Sequence, residues 1–415
     1  MRGFCLGVFL FLIAQAAPAD SGRLQISGYG VINYANFFWE TDPERRAHID
    51  VERLVVAPKY QMTDTIRLEA ELEFEHGGAG ITMEFDKFEE FGEFEMEVEK
   101  GGEVIVEKLA AVFEFRPTFN LRIGHIIVPV GLTAKRHRPQ HYFTTTRPES
   151  ESNLIPTIWH ENGIELFGNI GAFSYQAQLV NGLDSTGFSS RRWIVGGHQL
   201  RFEAANAEDF ALVGRVDYTV TDGAVLGFSG YYGDSADNRP KPDFQPDAHV
   251  SIVDLHGFYE VGALKIRGMF LYGTLENSEL VSKANRNLSN NLNVKRTPVG
   301  SRAHGGYLEV GYNVLTFFKS SLNTQAALDL FVRYDNYDTM AEVRGDIFDN
   351  PRWERKTWTF GANYHPHPQL VFKGHYSART LGSTPVEVLD TIPIEIFDTE
   401  FEDEHTFALG FGFQY

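Results

Sequence analysis

Between Thr65 and His76 the chain alternates strictly: Ile66, Leu68, Ala70, Leu72 and Phe74 are apolar, while Arg67, Glu69, Glu71, Glu73 and Glu75 are ionised. A period of two is that of a β-strand, here with one apolar and one charged face. The last residues repeat the device, with Phe407, Leu409, Phe411, Phe413 and Tyr415 on one side and Ala408, Gly410, Gly412 and Gln414 on the other. Left as an open edge such a strand invites aggregation, whereas a closed barrel pairs it with the first strand.

Segments of this kind, about ten residues long, match the length that crosses a bilayer at a tilt. Sixteen can be marked between Leu24 and Tyr415, within a range of fourteen to eighteen. Links after odd-numbered segments are long and polar, as in 39–47, 129–160, 234–248, 275–302 and 380–404. Links after even-numbered segments are mostly short and made of turn residues, as in Met62-Thr63-Asp64, Asn169-Ile170-Gly171 and Thr221-Asp222-Gly223. The link from Leu315 to Asn323 is longer than a tight turn and is expected to hide extended strands. The pattern predicts an all-β fold: one transmembrane antiparallel β-barrel with short periplasmic turns and long extracellular loops.

At mid-bilayer an Arg or Lys facing lipid costs roughly 2 to 4 kcal/mol, so the charged faces are expected to line the lumen. This assigns Arg67, Glu69, Glu71, Glu73, Glu75, Arg122, Arg215, Asp217, Lys265, Arg267, Arg333, Asp335, Lys373 and Arg379 to the pore lining, with Lys108, Glu114, Glu165, Asp254, Glu260, Glu309 and Asp329 beside them. Any one of them reads first as half of a cross-strand ion pair that holds the wall together, and a transport role belongs to the set. The second segment fits least well, because Arg53 shares a face with Val51 and Val55, which implies a shifted register or a bulge.

A formal net charge of -19 leaves no basic field for nucleic acid, and 43% hydrophobic with 13% aromatic residues excludes a disordered chain. The only cysteine, Cys5, falls within residues 1–19, where Arg2, an apolar run from Gly3 to Ile13 and Ala17-Pro18-Ala19 read as a signal peptide. Residues 20–415 are then the barrel domain, placed in the outer membrane of a Gram-negative cell.

The third long loop carries Lys135, Arg136, His137, Arg138, His141 and Arg147 in an otherwise acidic protein. Folded inward, it would narrow the pore and set a cationic segment against acidic walls; folded outward, the same cations would meet lipopolysaccharide phosphates or solvent. The acidic run from Glu84 to Glu99 is expected to extend strands above the membrane in part, and Asp390, Asp398, Glu400, Glu402, Asp403 and Glu404 need not form a site.

Several dispersed phrases resemble the phosphate-selective porin O and P family and related outer-membrane porins. They are Leu121-Arg122-Ile123-Gly124-His125, Pro129-Val130-Gly131-Leu132, Glu161-Asn162-Gly163-Ile164-Glu165-Leu166, Gly214-Arg215-Val216-Asp217-Tyr218 and Phe331-Val332-Arg333-Tyr334-Asp335, in that order. The resemblance implies sixteen strands, a homotrimer, basic residues along the pore, among them Arg122, Arg215 and Arg333, and a constricting loop after the Pro-Val-Gly phrase. The acidic row Glu69 to Glu75 departs from an anion-selective pattern.

Catalytic constellations are scarce. Gly233-Asp234-Ser235 resembles the start of a hydrolase nucleophile block, but it is expected at an exposed loop tip with no positioned base. Neither His137 with His141 nor His365 with His367 supplies a full coordination sphere, so no metal and no cofactor are expected. The glycines of Gly28-Tyr29-Gly30 and Gly410-Phe411-Gly412 belong to strands, because no helix follows them. The sequence therefore predicts a non-enzymatic porin that passes small hydrophilic solutes or ions, in contact with outer-membrane lipid and lipopolysaccharide. The alternative is a barrel that serves as a structural or adhesive surface.

Overall fold

The computed structural model describes residues 22–77, 82–86, 95–99, 103–199, 204–288, 296–318, 325–382 and 403–415. The signal-peptide reading and most of the acidic run before the last strand lie outside these residues. Eighteen strands follow in order: β1 (Leu24–Trp39), β2 (His48–Gln61), β3 (Ile66–Glu75), β4 (Thr82–Asp86), β5 (Glu95–Glu99), β6 (Glu103–Arg116), β7 (Phe119–Ile127), β8 (His160–Ile170) and β9 (Phe173–Asn181). The second half adds β10 (Phe210–Thr221), β11 (Ala224–Gly233), β12 (Val250–Val261), β13 (Leu264–Leu275), β14 (Arg302–Asn313), β15 (Ala327–Glu342), β16 (Glu354–His367), β17 (Leu370–Leu381) and β18 (Asp403–Gln414).

All but β4 and β5 form one closed antiparallel barrel of sixteen strands, each paired with its neighbour in sequence. Closure is made by β1 and β18, in register from Tyr29 opposite Gln414 to Trp39 opposite Glu404. A closed sheet leaves no unpaired edge strand. The tight turns use Gly171, Gly223 and Gly262 at positive φ, where a side chain would be strained.

Alternation settles the two faces. Leu212, Val216, Phe228, Leu255, Phe270, Leu308, Trp358, Phe360 and Phe372 are exposed on the outside, while the intervening residues are buried inside. Among the described residues, register shifts interrupt six of the strand pairings, and two of them bear on the inward charges. Between Val31 and Asn33 of β1 the register on β2 jumps from Arg53 to Asp50, so Val51 turns outward while Arg53 and Val55 both face in. Between Glu71 and Leu72 of β3 the register on β6 skips Glu107, which turns inward beside Lys108.

Two expectations need correction. The link after β14 begins with a 3-10 turn over Val314–Phe318 rather than extended strand, with Phe317 and Phe318 exposed. Among the described residues the acidic run does not lengthen β3 or β6; β4 and β5 pair with each other, as a separate two-stranded sheet.

Candidate functional site: the barrel interior

The loop of residues 128–159, after β7, lies inside the barrel and touches the wall on all sides. Gly131 N donates to Asp254 Oδ2 on β12 at 3.2 Å, and Arg215 on β10 donates to the Gly131 carbonyl at 2.6 Å. Ser150 Oγ donates to Asp335 on β15 at 2.8 Å, and Thr145 Oγ1 lies 3.0 Å from His375 Nε2 on β17. Asn33 on β1 donates to the Thr145 carbonyl at 3.4 Å. The wall makes room with small residues. A β-carbon at Gly412 would overlap Pro139, one at Gly410 Thr145, and one at Gly311 the ring of Phe143.

The inward charges compensate one another in ladders. One crosses β12 to β15: Arg136 of the loop donates to Glu260 at 2.6 Å, Arg267 meets Glu260 at 2.5 Å and Glu309 at 3.0 Å, and Arg333 lies 4.0 Å from Glu309 and 2.6 Å from Asp335. A second joins Glu165, Arg122 and Glu69, with Arg67 bridging Glu69 at 3.0 Å and Glu114 at 2.5 Å. Glu71 meets Lys108 at 3.0 Å, Glu73 meets Arg53 at 2.7 Å, and Glu75 lies 3.8 Å from Arg53. Arg215 pairs with Asp217 at 2.9 Å and Lys265 with Asp329 at 2.5 Å. Arg379 meets Glu149 of the loop at 2.9 Å and also pairs with Glu404. Lys373 instead donates to two loop carbonyls, Tyr142 and Thr144, each at 2.8 Å.

The six basic loop residues divide. Lys135 reaches Asp217 at 2.9 Å, and His137 lies 3.5 Å from Glu71. Arg136 also sits over the Phe258 ring at 3.9 Å. Arg147 is buried and approaches the Tyr29 hydroxyl at 3.5 Å, with Nε and Nη1 unbonded. Arg138 makes no ion pair with a described residue and is half-buried. Burial, with Arg136 and Arg267 nearby, pushes His141 down to about 3 and keeps it neutral. The loop also carries Glu151, whose Oε1 accepts from Thr133 N and Oγ1, both at 2.8 Å; burial pushes its carboxyl up to about 7, against those two bonds.

The sequence reading did not find the apolar packing inside. Leu154, Ile155 and Trp159 of this loop, with Leu183, Phe188, Trp193 and Ile194 of the next long loop, cover inward residues such as Val213, Tyr231, Ile252 and Leu271. The signal was present: aromatic and branched residues recur in segments that a solvated loop would fill with polar ones. It also missed Glu107 and Glu52. Strict alternation from Lys108 would aim Glu107 outward among apolar residues, and that cost is itself the mark of a bulge. Ser235 is buried rather than exposed at a loop tip, its hydroxyl donating to the Ala248 carbonyl at 2.7 Å.

The closed sheet of sixteen strands and its inward loop place the chain in the porin fold class. The anion-selective porin from Comamonas acidovorans matches with a TM-score of 0.53 at 10% identity, over 94% of this chain and 99% of that one. OmpF of Salmonella typhi, in complex with Daunomycin, matches with a TM-score of 0.52 at 9% identity, over 96% and 99%. OmpT of Vibrio cholerae with loop L8 deleted, an outer membrane protein, gives 0.50 at 12% identity, over 95% and 100%. Identities this low show a shared fold alone.

No protein-family model matches the chain. At the sequence level it is 30% identical over 358 residues to an "Uncharacterized protein" of Aquifex aeolicus (strain VF5), covering 85% of this chain and 75% of that one. The chain belongs to the same family as that Aquifex protein.

Proposed function

We propose that the protein is an outer-membrane porin, a passive diffusion channel for small hydrophilic solutes or ions. Residues 1–19 act as a signal peptide that is cleaved on export, and the barrel works in the outer membrane of a Gram-negative cell as a homotrimer in lipid and lipopolysaccharide. The 128–159 loop is the constriction, and the inward charges set selectivity. The observation that carries this reading is the loop itself, held inside an outwardly apolar wall by polar contacts to β1, β10, β12, β15 and β17. A barrel of this build needs no catalysis.

The likeness to the phosphate-selective porins makes anions the first solutes to test. Against them, each arginine of the matching phrases faces a carboxylate: Arg122 faces Glu165, Arg215 faces Asp217 and Arg333 faces Asp335. The test is the reversal potential of the refolded protein in a planar bilayer under a KCl gradient, with the single-channel conductance. Replacing Glu69, Glu71 and Glu73 with Gln should shift permeability toward anions, and replacing Lys135, Arg136 and Arg138 should shift it toward cations. Unchanged selectivity in both variants defeats the assignment of these residues to the pore. The apolar cluster under the long loops favours one alternative, a barrel closed by its own loops that acts as a structural or adhesive surface. Folded protein that carries no current supports that alternative.

A further inference from the structure

Asp234, Asp247 and His249 bring one ligand atom each within 4.8 Å of one another. Asp234 directly follows β11, and Asp247 and His249 lead into β12. A fourth group, Glu276, directly follows β13 and brings Oε2 to 3.2 Å from His249 Nδ1, while Asp234 Oδ2 lies 3.8 Å from the same nitrogen. Three loop ends thus meet at one imidazole.

The arrangement leaves donor atoms idle. His249 Nδ1 is buried and has no hydrogen-bond partner, and its ring is held in place by Tyr232, stacked at 5.2 Å. Asp234 spends Oδ1 on the backbone N–H groups of Ser235, Ala236 and Ala248 at 2.7, 3.0 and 2.8 Å, which fixes the carboxylate and turns Oδ2 toward the ring. Among the described residues no lysine or arginine pairs with Asp234, Asp247 or Glu276. Three carboxylates against one imidazole leave an excess of negative charge that a divalent cation would balance.

We propose that Asp234, Asp247, His249 and Glu276 form a divalent transition-metal site on the outer rim of the barrel. One imidazole nitrogen with carboxylate oxygens suits Zn²⁺, Co²⁺ or Mn²⁺ better than Ca²⁺ or Mg²⁺, which favour all-oxygen shells. Inward Val250 and Ile252 place His249 on the outward face, so the ion ties the loop of residues 234–249 to Glu276, at the end of β13, from outside. The sequence reading expected no metal because it paired histidines by spacing. The lone His249 acquires its partners only when β11, β12 and β13 align.

The test uses the full chain without a histidine tag, folded in detergent, stripped with EDTA and titrated calorimetrically with ZnCl₂ or CaCl₂. One Zn²⁺ should bind per chain, at least about tenfold tighter than Ca²⁺ and at least about tenfold weaker in His249→Ala and Asp234→Asn. Asp247→Asn leaves the loop's backbone bonds intact and should also weaken Zn²⁺, which keeps the test decisive if Asp234→Asn does not fold. With Co²⁺, the visible spectrum should lose its nitrogen-ligand signature in His249→Ala. Absence of Zn²⁺ binding to the folded wild type, or equal binding by wild type and Asp247→Asn, overturns the proposal.

Discussion

The long-loop ends of β10–β13 and of β16–β18 are built from the same alternating strands and end differently. On the first side the inward residues are Ala211, Val213, Tyr231, Val250, Ile252, Leu271 and Leu275, covered by Trp159, Leu183, Phe188 and Trp193. On the second they include Thr357, Arg379 and Glu404, met by Glu149 of the inward loop and by Trp39, whose ring lies 4.7 Å from the Arg379 guanidinium. Apolar burial is non-directional and stabilises by about 25 cal/mol per Å², so it fastens loops without further conditions. Buried charges are tolerated only with partners and remain sensitive to other ions. The first side thus holds the loops by apolar packing, and the second holds them by ion pairs and hydrogen bonds.

The largest way to break this contrast is Trp193→Ala. The indole fills the space left by Gly273, where a β-carbon would overlap it, and donates to the Gly300 carbonyl at 3.2 Å. Truncation should cost roughly 3 to 5 kcal/mol in unfolding free energy, and by loosening the covered side it should raise single-channel conductance. A destabilised barrel of unchanged conductance would show that the apolar side never limited passage.

Glu309→Gln attacks the charged ladder at its middle. Glu309 lies between Arg267 at 3.0 Å and Arg333 at 4.0 Å, so neutralising it leaves two buried guanidinium groups short of charge. A loss of about 3 kcal/mol is expected, with reversal potential moving toward anions. A loss of stability without any change in selectivity would assign the ladder to structure alone.

All sixteen barrel strands were legible in the sequence, because each must present an apolar face outward that alternates with an inward face, and Ile66 to Glu75 shows that pattern in ten residues. What escaped was whatever interrupts the period or needs distant segments. Glu107 and Arg53 sit at bulges, which one misplaced charge hints at without locating. The partners of Lys373 are loop carbonyls, and carbonyls leave no trace in residue types. The loop's inward path was half legible: its basic residues suggested it, whereas Pro139, Phe143 and Thr145 and the glycines that receive them, Gly412, Gly311 and Gly410, are recognisable only as complements of each other.

Glu151 sharpens the comparison by pH, because it stands in the inward loop between Glu149, which meets Arg379, and Leu154, which joins the apolar cluster. With a carboxyl raised to about 7 by burial, the folded state binds a proton that the unfolded state has released above its ordinary value near 4.5. Stability from this group is therefore full below about pH 4.5 and declines as pH rises toward 7, by up to roughly 3 kcal/mol. Glu151→Gln should match wild type at pH 4 and be the more stable at pH 8, as read from denaturant midpoints. Parallel pH profiles for the two proteins would place Glu151 in a wetter environment.

Arg138→Ala should have the smallest effect on stability and is the cleanest probe of the polar side. Arg136 and Lys135 are each committed to a carboxylate, so removing either takes one partner from Glu260 or Asp217 and alters the wall as well as the loop. Arg138 forms no ion pair with a described residue, so its loss subtracts one positive charge and little else. Stability should change by less than about 0.5 kcal/mol, since substitutions away from packed or paired features rarely exceed that. If the constricting loop governs permeation through its field, the reversal potential should still move toward cations, most clearly at low salt where screening is weak. A shift that disappears at about 1 M KCl, where the screening length falls to roughly 3 Å, would identify the effect as electrostatic; one that persists would indicate a change in the width of the passage.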